Sequence, residues 1–401
     1  MGADEFTEVT TQSWGSRIGG SFKGILIGLL MVVAALVLLF WNEGRAVQTA
    51  KSLREGAGVV VSVPAKPVDP GNNGKLVHVT GLATTQETLR DPEFLVEAKG
   101  LRLRRVVLMY QWQERSRSET RKKLGGGTET VTTYTYSKVW SPRPIDSTSF
   151  KKPQGHANPG SMPFHSQDQE ASKVTVGDYY LSPGLVNQIT AFKPLRLDRN
   201  NYQIPAALGR RAKLYGGGLY IGHSPASPQV GDLRVTFEVV EPTTVSIVAQ
   251  QQGNGFTGYQ TEAGDKILML RVGQHTADSM FKAALRSNQT LTWIMRLVGL
   301  VLMFIGFSTI LRPLSVMLDV LPLLGNIAGV GTSIVAGLLA LGLSLITIGI
   351  AWVVYRPLLG VIILVAGVGS LVLLKITRSK KAAPARETPA PSPPPPPPPP
   401  A

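Results

Sequence analysis

GILIGLLMVVAALVLLFW, Gly24 to Trp41, is the stretch that decides the architecture: eighteen residues without a charge. As a helix it covers about 27 Å, close to the hydrocarbon thickness of a bilayer. Phe22 and Trp41 stand near its ends, where interfacial aromatics settle. The next residues are Asn42, Glu43, Gly44 and Arg45, with no small-x-small cleavage site, so the segment (residues 24–42) reads as a retained anchor and not as a signal peptide. Residues 1–23 form a polar leader carrying Arg17 and Lys23. Gly20, Gly24 and Gly28 recur at every fourth position and so share one helix face, a candidate surface for close approach by another helix.

The rest of the chain repeats this partition of charge. Of 401 residues 43% are hydrophobic and only 17% charged, and the charges gather in the middle and at the two tips. A second apolar block begins near residue 291. Leu297 to Leu311 is short for a span, but residues 291–311 suffice if Arg296 snorkels or faces a polar interior. Residues 315–331 are apolar yet broken by Asp319, Pro322, Gly325, Asn326 and Gly329, which predicts an interfacial or re-entrant piece. Residues 332–355 and 358–374 supply two further spans around Arg356 and Pro357. Residues 375–401 are a basic and proline-rich tail with eight consecutive prolines, an extended or disordered segment. Four spans put both termini on one side. The basic residues Lys375, Arg378, Lys380 and Lys381 make that side cytoplasmic, which leaves the middle of the chain in a periplasm or lumen; Arg45, Lys51 and Arg54 weigh the other way.

That middle, residues 43–286, changes period. After a short amphipathic helix over 43–56, it consists of short segments rich in β-branched and aromatic residues, such as KLVHVTGL (75–82), LRLRRVVLMYQW (101–112), TVTTYTYSKVW (130–140) and LRVTFEVV (233–240), separated by Gly, Pro and Asn. Residues 141–171 read as a long loop, and Asp278 to Arg286 as the start of a helix. The fold class is an α+β membrane protein: one amino-terminal and about three carboxyl-terminal membrane helices flank a large β-rich domain.

Little in the chain points to catalysis. There is no cysteine, so thiol nucleophiles, disulfides and thiolate metal sites are excluded. The five histidines are scattered and form no HExxH-like pair. Gly125 to Gly127 and Gly216 to Gly218 lack the context of phosphate loops, and Ser224 lacks that of an exposed nucleophile. No cofactor, metal or nucleic acid is expected. The formal charge of +15 is read in a membrane protein as attraction to anionic head groups. Its densest part is residues 99–123, where Arg102 and Arg104 share one strand face and Leu101 and Leu103 the other. Arg102, Arg104 and Arg105 are therefore a candidate ridge, either merely solvated or turned to anionic lipid or a partner. Inside the apolar block, Arg312, Asp319 and Asn326 are the candidate intramembrane polar site. Asp319 pairs with a base such as Arg312, reaches water, or serves an ion pathway.

The run LLFWNEGRAVQTAKSLREGAGVVVSV (38–63), above all NEGRA (Asn42 to Ala46) and SLREG (Ser52 to Gly56), resembles the transmembrane protein LUMA family of the animal nuclear envelope and endoplasmic reticulum, with its prokaryotic relatives. YQW (110–112), YTYSKVW (134–140) and GDLRVTFEVVEP (231–242) carry the resemblance further, across residues 20 to 378. It implies a one-plus-three span layout, a lumenal domain and cytoplasmic or nucleoplasmic termini. It also implies a protein that organises membrane assemblies, self-associates and has no established enzymatic activity. The proline tail and short basic leader depart from the family. In a prokaryotic chain the lamin and emerin contacts of animal members do not carry over, and the site would be the bacterial inner membrane instead of the endoplasmic reticulum or inner nuclear membrane.

The function expected is therefore a non-catalytic, self-associating membrane scaffold, its partners being the bilayer, copies of itself, other membrane proteins and anionic lipids. An accessory or core component of a transporter or channel is the alternative, and a membrane-anchored enzyme with an unreadable site the second.

Overall fold

The computed structural model describes residues 4–319 and 322–357, with the backbone alone for 322–326. The expected span over 358–374 and the tail over 375–401 lie outside the described residues. Among the described residues three helices are long and apolar enough to cross a membrane: α1 (Trp14–Val59), α2 (Ala277–Leu318) and α3 (Pro322–Tyr355).

Helix α1 has 46 residues, about 69 Å of helix and more than twice a bilayer's hydrocarbon depth. It starts inside the expected leader, where the Ser13 side chain accepts from the Ser16 N–H, and it continues without a break through residues 43–56. The amphipathic segment expected as a separate helix is thus the upper part of the anchor, rising from the membrane as a stalk. Helix α2 opens on Thr276, whose hydroxyl accepts from Ser279 N at 3.2 Å, with Asp278 complementing the dipole in the first turn. It runs through Pro313 to a cap at Asp319.

The described residues of the interfacial or re-entrant piece expected at 315–331 are divided between two helices. Residues 315–318 close α2, and α3 begins at Pro322. Proline is preorganised for the first helical position, where its missing N–H is not needed, so Pro322 marks the start of a helix and not a break within one.

The β-rich domain is built on nine principal strands: β1 (Asp4–Gln12), β2 (Leu76–Thr84), β3 (Arg102–Lys122), β4 (Thr128–Ser141), β5 (Ala212–Tyr215), β6 (Gly218–Ile221), β7 (Leu233–Val240), β8 (Thr243–Gln252) and β9 (Met269–Val272). One sheet has the order β1-β4-β3-β7-β6-β5, and in the other β2 and β9 flank β8. Alternation sets what each face does. Leu103, Val107 and Met109 of β3, Val235 and Phe237 of β7, Val77 and Val79 of β2 and Ile247 of β8 fill the core between the sheets. On the opposite face of the second sheet, Leu76 and Val248 pack with Leu53 of α1, Met280 and Phe281 of α2 and Ile267. The second sheet is therefore covered on both sides, clamped between the other sheet and the ends of two helices.

The leader is not a free tail. β1 pairs antiparallel with β4 from Asp4↔Tyr136 to Gln12↔Thr128. Beyond Met109, where pairing with β7 stops, β3 and β4 continue as a long hairpin edged by β1. Arg115 and Arg117 occupy one face of this extension, and Ser116, Ser118 and Thr132 the other, so neither face suits hydrocarbon. Its tip meets the far end of the helices: Lys122 Nζ donates to Asp319 Oδ1 at 2.6 Å, and Arg17 donates to the carbonyl of Gly126.

The nine cross-strand pairs tie the leader to the hairpin. The chain lacks cysteine, which makes the test direct. Thr7→Cys with Thr133→Cys, cross-strand partners, should crosslink on oxidation or with a short bis-maleimide in intact membranes. No crosslink, with each single cysteine labelled from a different side, would overturn the pairing.

Candidate functional site

Helices α1 and α2 run antiparallel, and glycine sets how close they come. A Cβ on Gly28 would lie 2.6 Å from the Gly306 carbonyl oxygen and 2.8 Å from Ile310, and one on Gly24 3.1 Å from Thr309. Gly20 has nothing within 4 Å. Of the glycine face expected from sequence, Gly24 and Gly28 make the helix contact, inside one chain, and Gly20 does not.

Directly beyond the apolar stretch this interface becomes polar. Asn42 Nδ2 donates to the Thr292 carbonyl at 3.2 Å, and Arg45 reaches Asn288 Oδ1 at 3.0 Å and Asn42 Oδ1 at 3.2 Å. Asn288 Nδ2 returns to the Ala46 carbonyl at 2.9 Å. At the centre Glu43 is fully buried. Its two oxygens accept from Arg296 Nε at 2.6 Å and Arg296 Nη2 at 2.9 Å, and the second also accepts from Trp352 Nε1 at 2.8 Å. One carboxylate thus joins α1, α2 and α3. The Arg296 guanidinium lies over the Trp293 ring, 4.7 Å from its centroid. Gly44 lets α3 approach: a Cβ there would stand 2.7 Å from the Tyr355 ring.

Further up the stalk SLREG has its own task. Ser52 Oγ accepts from Thr261 Oγ1 at 2.9 Å, Glu55 Oε1 from Glu262 N at 3.0 Å, and Leu53 lies in the apolar joint. Gly56 leaves room for Ile267, which a Cβ would approach to 2.3 Å. NEGRA knits the helices to each other, and SLREG fixes the β-rich domain upon them. In sequence the two were only likenesses to a family; neither Glu43 nor Arg296 stood out as a partner of the other, because 253 positions separate them.

The candidate polar site resolves differently from expectation. Asp319 is buried, but its partners are Arg17 at 2.5 Å and Lys122 at 2.6 Å, not Arg312. Arg312 is exposed, about two helical turns before Asp319, and makes no ion pair among the described residues. Asn326 belongs to α3, and its side chain lies outside what the structure describes.

The expected cationic ridge is also corrected. Arg102 is buried, donates to the Asn187 carbonyl at 2.8 Å and pairs with Asp168 at 2.7 Å. Arg104 pairs with Asp168 at 3.0 Å and stacks 3.7 Å from the Phe192 centroid. Arg105 falls on the leucine side of the strand, where burial demands a partner, and holds Asp91 at 2.9 Å and Glu93 at 2.5 Å. These arginines brace the domain. Among the described residues no group of three His, Asp or Glu is placed to hold a metal ion.

A family model described as Transmembrane protein 43 matches residues 109–357. The chain is similar to Transmembrane protein 43 of Homo sapiens, 33% identical over 92% of this chain and 93% of the human protein. It is likewise similar to that of Pongo abelii (33%; 95% and 94%) and to the Transmembrane protein 43 homolog of Drosophila melanogaster (31%; 85% and 91%). No solved structure matches.

Two sets of variants check the site. Gly28→Leu should lower the thermal midpoint in mild detergent by forcing the helices apart, an overpacking cost of about 2 kcal/mol, while Gly20→Leu should leave it unchanged. Glu43→Gln, which strands the Arg296 charge, should cost about 3 kcal/mol, and Glu43→Leu combined with Arg296→Met should regain most of it. A double variant as unstable as the single one would show that the pair does not act as a unit.

Proposed function

The chain belongs to the Transmembrane protein 43 family, and from that premise we propose that it is a non-catalytic, self-associating membrane scaffold that organises membrane protein assemblies or membrane domains through its β-rich domain. The observation that carries this reading is the double joint on α1. Glu43 locks three helices at one level, and Ser52, Leu53, Glu55 and Gly56 seat the domain a few turns above. A platform held at fixed height and orientation suits presentation of a surface better than turnover of a substrate. The outer edge of β1 remains without a strand partner among the described residues, and such an edge is a ready template for another chain. The glycine face is already spent within the chain, so self-association falls to the β-rich domain and the lipid-facing helix surfaces.

The reading as a transporter or channel component loses its main support, since two cations already neutralise Asp319. Membrane enzymology finds no metal-holding group of His, Asp or Glu to support it among the described residues. The family's membranes, endoplasmic reticulum and inner nuclear in animals, are part of the same proposal, as is the bacterial inner membrane for a prokaryotic host.

Crosslinking in the membrane followed by native mass measurement in mild detergent should give multiples of the monomer mass. A particle that stays monomeric at cellular density sinks the self-association.

A further inference from the structure

We propose that the boundary between spans and stalk holds a binding site for one anionic phospholipid, the head group in a cationic cavity and an acyl chain in the groove beneath. Between α1, α2 and the end of α3 lies a cavity of about 770 Å³. Lys51, Arg54, Arg356, Trp293, Trp352 and Tyr355 are among its lining residues, and no acidic side chain is. Arg296, also in the wall, is committed to Glu43, while Lys51, Arg54 and Arg356 have no ion-pair partner among the described residues. Three unopposed cations beside two tryptophans and a tyrosine, Arg356 directly after α3 and Lys51 and Arg54 about three turns past Trp41, form the environment that receives a phosphodiester at the membrane surface.

What makes the occupant a lipid and not a free anion lies directly below. A second hollow of about 460 Å³ is lined by Leu36, Val37, Phe40, Trp41, Thr347 and Ile350, and it shares Tyr355 with the first. Its α1 residues precede those of the cavity by about three turns, so the hollow sits at hydrocarbon depth. A phosphate with an attached chain fills both, and a phosphate alone fills one.

The experiment uses the full chain in neutral detergent, titrated with phosphatidylglycerol, phosphatidylcholine or inorganic phosphate and read by native mass measurement. Phosphatidylglycerol should remain bound one per chain. Lys51→Gln, Arg54→Gln and Arg356→Gln together should weaken it on the order of a hundredfold. Arg115→Gln, Arg117→Gln and Arg121→Gln, the same charge change on the hairpin, should leave it unaltered. Val37→Trp, which fills the groove, should weaken phosphatidylglycerol and keep the unliganded fold, judged by an unchanged elution volume and helix content. Equal binding of phosphatidylcholine, displacement by phosphate at matching concentration, or equal loss in the hairpin variant would each overturn the proposal.

Discussion

A carboxylate with no access to water, at the level where the spans end, is the constraint on which the arrangement of this chain rests. Taking Glu43 and Arg296 out of water costs several kcal/mol per ion, and the cost is offset only when both carboxylate oxygens find donors in good geometry. The forked contact with Arg296 and the third bond from Trp352 meet that condition, and they can do so only if α1, α2 and α3 hold one register. Helices that share an apolar solvent gain little from sliding together by hydrophobicity, so a polar node and close glycine contacts are the forces left to choose among registers. Gly28 against Gly306 and Glu43 against Arg296 lie on the same interface and enforce the same choice.

The other end of the bundle is closed by a second charged node. From Arg17 to Glu43 along α1 is about 39 Å, and from Arg296 to Asp319 along α2 about 35 Å, each a little more than a hydrocarbon core. The far node takes Lys122 from the tip of a hairpin that belongs to the β-rich domain. The domain is therefore held twice, by the stalk at its base and by the hairpin at its reach. A rotation of the domain about α1 would have to break both.

Sequence made the solvent of each segment legible and left the partners obscure. Uncharged runs report lipid exposure directly, since hydrocarbon accepts few polar side chains; alternation over 101–112 and 233–240 likewise reports strands with one face in a core. Where α1 ends was harder to see. Residues 43–56 look like a separate amphipathic helix because Lys51 and Arg54 face a cavity while Leu53 and Gly56 pack into the apolar joint, which is the pattern that a surface helix would show. Pro322 and the glycines after it suggested a re-entrant break, yet the same residues start a helix. The roles of Arg105 and Asp319 depended on Asp91, Arg17 and Lys122, all brought in by topology. A one-residue step in strand parity moved Arg105 from the supposed ridge into the core, and no composition argument senses such a step.

The net charge of +15 becomes intelligible once the cations are sorted by what faces them. Those of the first half of β3 are consumed by Asp168, Asp91, Glu93 and Glu238, so they add cohesion to the domain and little field outside it. Lys51, Arg54 and Arg356 lie at membrane-surface depth without a carboxylate in their cavity. A fold that neutralises Arg105 and Arg296 with care while leaving three cations together beside an apolar groove is not short of acidic residues, since Glu43 and Glu55 stand on the same helix and are directed elsewhere. The local excess is then a property of the site, stable only in contact with water or with an anion from outside the chain, and the bilayer is the nearest source of one.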